Sequence, residues 1–159
     1  APDLAGHLAD WLVPLYRRAG QPIRPHPAGL SRVPATREIS GRVVYQGEFW
    51  VASGAAAGVS GRLSAALGWL GQLEAVRRWA PDHLYAFMTA RKVQNGLAAR
   101  GGYNRSGPGA LIWESTPDGD PAVEWIVWNS AADVAARAAL IAAGSDLDGR
   151  PPNPAPPAR

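Results

Sequence analysis

PDHLYAFMTARKVQNG, residues 81–96, carries two periodicities at once, and the architecture of the chain turns on which of them prevails. Leu84, Phe87, Met88 and Arg91 recur at the spacing of one helix face. Ala80-Pro81-Asp82 suits a first helical turn, and Asn95-Gly96 suits a stop. The aromatics also alternate, as they do along a strand. The helix is the leading expectation and the strand is the alternative.

Downstream, RGGYNRSGPG (100–109) has loop composition. ALIWES and AVEWIVW flank TPDGDP, a Pro-Asp-Gly turn, and together they form an antiparallel hairpin. Ser130-Ala-Ala-Asp133 has capping-box form and opens a helix with Val134, Ala138 and Ile141 on one face. From residue 146 the chain reads as a tail, and PPNPAPPAR (151–159) favours polyproline II.

Upstream, Val59, Leu63, Leu67 and Leu70 lie at helical spacing within residues 55–73. Gly58, Gly61, Gly68 and Gly71 weaken such a helix, which suggests close packing against another backbone. ISGRVVYQGEFWVAS (39–53) reads as a first hairpin about Gln46-Gly47. Residues 21–37 hold four prolines and read as an extended loop. Leu4, Leu8, Trp11, Leu12 and Leu15 mark an opening helix that Pro14 kinks or shortens and Gly20 ends.

At an offset of 76 residues, His7-Leu8 falls on His83-Leu84 and Glu48-Phe49-Trp50-Val51 on Glu124-Trp125-Ile126-Val127. The halves 1–76 and 77–145 then share the order helix, loop, hairpin, helix, as an αββα duplication would. The alternative is two unrelated units built from similar residues. The expected fold is α+β: one domain over 1–145, with two antiparallel β-hairpins in one sheet packed by about four helices, and a Pro-rich tail over 146–159.

The chain has 159 residues, a net charge of +3, seven tryptophans and no cysteine. Disulfides, thiolate metal sites and cysteine nucleophiles are therefore excluded. No run of about 18 apolar residues suggests a membrane span. The chain opens on Ala1-Pro2, consistent with a cytoplasmic protein that lost its initiator Met or a secreted one that lost a signal peptide. Charge is segregated: residues 17–42 hold six Arg and one acid, whereas 106–148 hold seven acids and one Arg. Such polarity suits self-pairing or an anion on one side.

Candidate sites are few. Arg100, Tyr103, Asn104 and Arg105 cluster beside flexible glycines, where a phosphate could sit with Tyr103 stacked on a base. His7, His26 and His83 show no metal-ligand spacing, and neither a metal nor a cofactor is expected. His83, next to Asp82, is a catalytic candidate. Glu114 and Glu124, one on each strand of the second hairpin, are a second, as a carboxylate pair. Trp113, Trp125 and Trp128 lie in that hairpin, with Trp113 and Trp125 expected on one face and Trp128 on the other. One of those faces then serves as a contact surface, unless the sheet is covered on both sides from within.

Three short likenesses run through these segments. Ser53-Gly54-Ala55-Ala56-Ala57-Gly58-Val59-Ser60-Gly61 is similar to the glycine pattern of short-chain dehydrogenases, which implies cofactor binding at a helix start. It departs in its last glycine, one position late, and in lacking a Tyr-xxx-Lys pair. Asn104-Arg105-Ser106-Gly107-Pro108-Gly109 resembles the acetyl-CoA loop of acetyltransferases, except that Pro108 removes a donor and a strand follows. Residues 81–143 resemble a double-stranded RNA-binding domain in element order, but Ala131-Ala132 stand where that family places lysines.

The leading functional expectation is a non-catalytic binding or assembly protein. It self-associates, or docks into a larger particle such as a virion, through the Trp-rich hairpin, the arginine loops and the tail. The alternatives are a small RNA-cleaving or group-transfer toxin using an Arg/Tyr/His site, and a basic nucleic-acid-binding module.

Overall fold

In the computed structural model the segment 83–89 is extended and lies between two other strands. The structure describes residues 3–18, 25–26, 33–47, 60–113 and 122–145. They form helices α1 (Leu4–Arg18), α2 (Ala35–Glu38), α3 (Ser60–Trp79), α4 (Ala90–Gln94), α5 (Leu97–Arg100) and α6 (Ala131–Ala142). The strands are β1 (Pro25–His26), β2 (Val43–Tyr45), β3 (His83–Thr89), β4 (Arg105–Trp113) and β5 (Ala122–Ser130). One sheet holds all five strands in the order β1-β4-β5-β3-β2. Only the β2–β3 pair is parallel. The fold is α+β.

The expected helix over 81–96 is thus corrected to β3, with the short helix α4 after it and the stop at Gly96 (φ +76°) kept. The reason is burial on both sides. Leu84, Tyr85 and Ala86 are all buried although they point to alternate faces. A strand covered twice is apolar at every position, and such a run also satisfies a helical template.

The second hairpin is present: β4 and β5 run antiparallel, with Trp113 opposite Ala122 and Arg105 opposite Trp128. Its turn and Glu114 lie outside the described residues. Strand β4 begins earlier than expected, at Arg105, and tolerates Pro108 because the register slips between Gly107 and Leu111. A proline lacks the N–H a regular ladder needs, so it falls where the ladder is interrupted.

Only the first strand of the other expected hairpin is described. β2 lies parallel to β3, and residues 48–53, its expected partner, fall outside the described set, as does the tail 146–159. The β2–β3 alignment is held at its start by Asp82, whose backbone N–H donates to the Arg42 carbonyl at 2.7 Å and whose carboxylate accepts from the Arg42 backbone N–H at 2.7 Å. The Arg42 guanidinium donates to the carbonyls of Trp79 and Ala80 and so closes the end of α3. The offset of 76 residues sets Leu8 of a helix on Leu84 of a strand, so the aligned halves do not share an element order.

Both sheet faces are covered. Leu4, Leu8 and Leu12 of α1 pack with Val33, Ala35 and Ile39 on Tyr85, Leu111, Trp113, Ile126 and Trp128. The helix runs through Pro14 to Arg18, with the Asp3 carboxylate accepting from the Gly6 N–H at 2.9 Å in its first turn. On the opposite face Trp69 and Ala75 of α3 meet Leu84 and Val134, and Ala98 and Tyr103 meet Ala86 and Val127.

The capping box of α6 is complete. The Ser130 hydroxyl accepts from the Asp133 N–H at 3.2 Å, and the Asp133 carboxylate accepts from the Ser130 N–H and hydroxyl at 2.7 Å each. Burial pushes the Asp133 carboxyl up, but bonds from Ser130 and then Arg105 outweigh it and leave it below the ordinary value. A depressed carboxyl stabilises the fold above its unfolded pKa and ceases to as pH falls through the folded one. Ser130→Ala should therefore cost about 1 kcal/mol at neutral pH, a cost that shrinks below about pH 4. Urea titrations at the two pH values test this; equal midpoints for variant and wild type at neutral pH would contradict it.

Candidate functional site

The loop 101–104 is fixed by a buried amide pair. Asn129 and Gln72 are fully buried. Asn129 Nδ2 donates to Gln72 Oε1 at 2.8 Å and to the Gly102 carbonyl at 2.7 Å, while its Oδ1 accepts from the Asn104 N–H at 2.8 Å. Gln72 Nε2 donates to the Gly101 carbonyl at 2.8 Å. Each polar atom of both amides has a partner, as burial requires. β5, α3 and the loop are thereby locked together.

This loop does not assemble the expected anion site. Tyr103 is buried, and its hydroxyl donates to Gln46 Oε1 at 2.7 Å, so its ring cannot stack on a base. Burial, and next the nearby Tyr45, push that hydroxyl well above the usual phenol range and keep it a neutral donor. Arg105 forms an ion pair with Asp133. Arg100 is exposed and donates to the Asn95 carbonyl at 2.8 Å. Asn104 is exposed, with its N–H committed to Asn129.

The tryptophans are also placed differently. Trp113 is 7% exposed and Trp128 is 8% exposed, and both belong to the α1-side core. Trp125 lies opposite Met88, one residue out of phase with Trp128, and so faces the other way. The expected pairing of Trp113 with Trp125 is corrected, because strand alternation groups Trp113 with Trp128. Two of the three expected interface indoles are therefore inside the monomer. His83 lies at the start of β3 with Nδ1 3.1 Å from the Ser40 carbonyl, and Glu124 lies opposite Thr89 at the far end. Six residues of strand separate them by about 20 Å, so they do not act together.

Two features not foreseen are built around α3. A cleft of about 330 Å³ is bordered by α3 and, from the α1-side face of the sheet, by Tyr45, Phe87, Trp113 and Glu124, with Lys92 of α4. Ser64 and Gly68 supply the helix wall, and a Cβ on Gly68 would stand 3.2 Å from the Gly101 carbonyl oxygen, which accounts for a glycine inside this helix. Its outer side carries Leu63, Leu67, Leu70 and Leu73, all exposed, with Leu70 at 61%. Leu63, Leu67 and Leu70, which the sequence places at one helical spacing, thus lie on the outward side. Ala65, Trp69, Gln72 and Ala75 are the buried set. At about 100° per residue, the two sets sit on nearly opposite sides of the helix.

Comparison with family models, curated proteins and solved structures gives no match for this chain.

Among the described residues no group of three or more His, Asp or Glu side chains could hold a metal ion. No described helix is long and apolar enough to cross a membrane. The signal that could have oriented α3 is Trp69. It falls between Leu67 and Leu70 in sequence but on the other side of the helix, and a single indole with small neighbours outweighs three leucines when the gap to the sheet is narrow.

Proposed function

We propose that this protein is a binding and assembly protein that pairs with a second copy of itself through the outer face of α3. The carrying observation is the leucine row Leu63, Leu67, Leu70 and Leu73, which lies exposed opposite the buried face of the same helix. A helix that is apolar on both sides is ordinarily covered on both sides. The row exposes on the order of 300 Å² of apolar surface, within the range of functional patches on monomers. A twenty-residue helix is about 30 Å long. Two such helices related by a two-fold axis, with their flanking residues, approach the roughly 800 Å² a side of a standard interface.

Charge fits this arrangement. The row ends at Glu74, which accepts from Arg77 and Arg78 on the same helix. Those two bonds, Arg77 first, hold the Glu74 carboxyl down to about 2. One carboxylate against two guanidinium groups leaves that flank with a net charge of only +1 at physiological pH. It opposes a like copy less than free arginines would.

Sedimentation velocity over a concentration series tests the reading. Burying a leucine is worth about 1.5–3 kcal/mol, so Leu67→Glu with Leu70→Glu should weaken pairing more than a hundredfold. The variant should be a monomer with an unchanged far-UV spectrum. Wild type that remains monomeric at its highest soluble concentration defeats the reading. So does a double variant that unfolds, because the row would then be covered by the chain's own residues.

A further inference from the structure

Between His83 and Trp113 the sequence holds no acid, and Arg91, Lys92 and Arg100 fall close together within that stretch. All three are exposed. None has a carboxylate partner among the described residues, whereas Arg77, Arg78 and Arg105 each have one. The Arg100 guanidinium donates to the Asn95 carbonyl at 2.8 Å, and the Asn95 N–H donates to the Arg91 carbonyl at 3.0 Å. Arg100 therefore stands one helical turn, about 6 Å, from Arg91 along α4. The three cations gather around the outer side of one short helix.

That helix lies on the same sheet face as Trp125. Val93 of α4 and Met88 pack on Ala86 and Val127. Trp125 is opposite Met88 and shares this face. Val123, two residues back along β5, shares it as well and is opposite Ile112 of β4. Val123 is 47% exposed, while Trp125, Met88 and Ile112 are half-buried. Glu124 falls between Val123 and Trp125 in sequence but points to the other face. The surface thus joins an apolar strip that holds an indole to a helix that holds three cations.

We propose that this surface binds a single-stranded nucleic acid, with a base laid on Trp125 and phosphates at Arg91, Lys92 and Arg100. A ring flanked by cations suits an unpaired strand, because every base has a face to stack and every nucleotide a charge to neutralise. A duplex keeps its bases stacked among themselves and away from the indole. An anionic membrane suits the surface less. Insertion needs apolar side chains that stand clear of the protein, and of these four only Val123 is exposed. Arg100 belonged to the anion cluster expected from the sequence; its working neighbours are Arg91 and Lys92, because Tyr103 and Arg105 are held by Gln46 and Asp133. The reading does not rest on self-pairing, since no residue of the leucine row belongs to this surface.

The test follows a short fluorescein-labelled oligothymidylate by anisotropy as the full chain is added, over a series of salt concentrations. Three phosphate contacts predict a slope of about −2 in the logarithm of affinity against that of salt. Arg91→Gln with Lys92→Gln removes two of them and should reduce the slope to about −0.7. Trp125→Leu should weaken binding about tenfold at unchanged slope, and Trp125→Phe should restore most of it. Should Trp125→Leu fail to fold, the double variant decides, because both of its positions are exposed. The proposal is overturned if the strand does not saturate the protein at low salt, or if the double variant keeps the slope of wild type. It is also overturned if a folded Trp125→Leu binds like wild type, or if a duplex of the same length or phosphatidylserine vesicles bind as tightly as the strand.

Discussion

Asn129→Leu is expected to cost about 3–5 kcal/mol, a large part of the stability of a domain this size. The leucine fills nearly the same space, so cavity formation contributes little. What is lost is the hydrogen bonding. Gln72 Oε1, the Gly102 carbonyl and the Asn104 N–H would each be left in the interior without their present partner. A buried polar group stranded in this way costs about 1–3 kcal/mol. Urea unfolding at neutral pH measures the loss, and a decrease below about 1 kcal/mol would show that the pair is not structural. A double-mutant cycle sharpens the result. Gln72→Met should cost less in the Asn129→Leu background than alone, because one stranded partner disappears with it.

The second large effect is at Gly102. Its φ is +87°, a region that residues with a Cβ rarely occupy. A Cβ there would also stand 2.5 Å from Trp69 Cε2 and 2.6 Å from Cζ2. The indole cannot yield easily, since it is buried against Leu84 and Val134 and the Arg137 guanidinium lies 5.4 Å from its ring centroid. Backbone strain of about 1–2 kcal/mol and displacement of a packed ring should together make Gly102→Ala cost about 3–5 kcal/mol. At Gly96, also at positive φ, the nearest heavy atom is the tip of the Arg100 side chain at 3.2 Å. Gly96→Ala should therefore lose only the strain component. Thermal unfolding of both variants distinguishes them, and equal losses would mean that the ring contact carries no cost.

The parts of the fold that were legible in the sequence are those specified locally. Ser130 and Asp133 state a helix start because both partners of the cap lie within one turn. The 110–128 hairpin is legible because apolar runs flank a turn of fixed chemistry. The opening helix is legible because only one of its sides is buried. Legibility ended where burial comes from distant segments. Strand β3 is covered from α1 on one face and from α3 and α6 on the other, so its pattern lost the alternation that marks a strand. In α3 the leucines and the indole compete for the inside, and the winner depends on how near the sheet lies. The site residues follow the same rule. Tyr103 and Arg105 sit in a basic stretch, yet Gln46 and Asp133, far away in sequence, occupy them. Glu124 was singled out for catalysis with Glu114, but register sets it among Trp113, Phe87 and Tyr45.

The strand order has a consequence for biosynthesis. β3 takes its neighbours from about forty residues before it and forty after it, and β1 waits for β4. A nascent chain that has emerged only as far as Thr89 has an edge without a mate and an α1 without the surface it covers. The amino-terminal half therefore has no native resting state of its own on the ribosome, and the molecule can close only after Ser130 has been made.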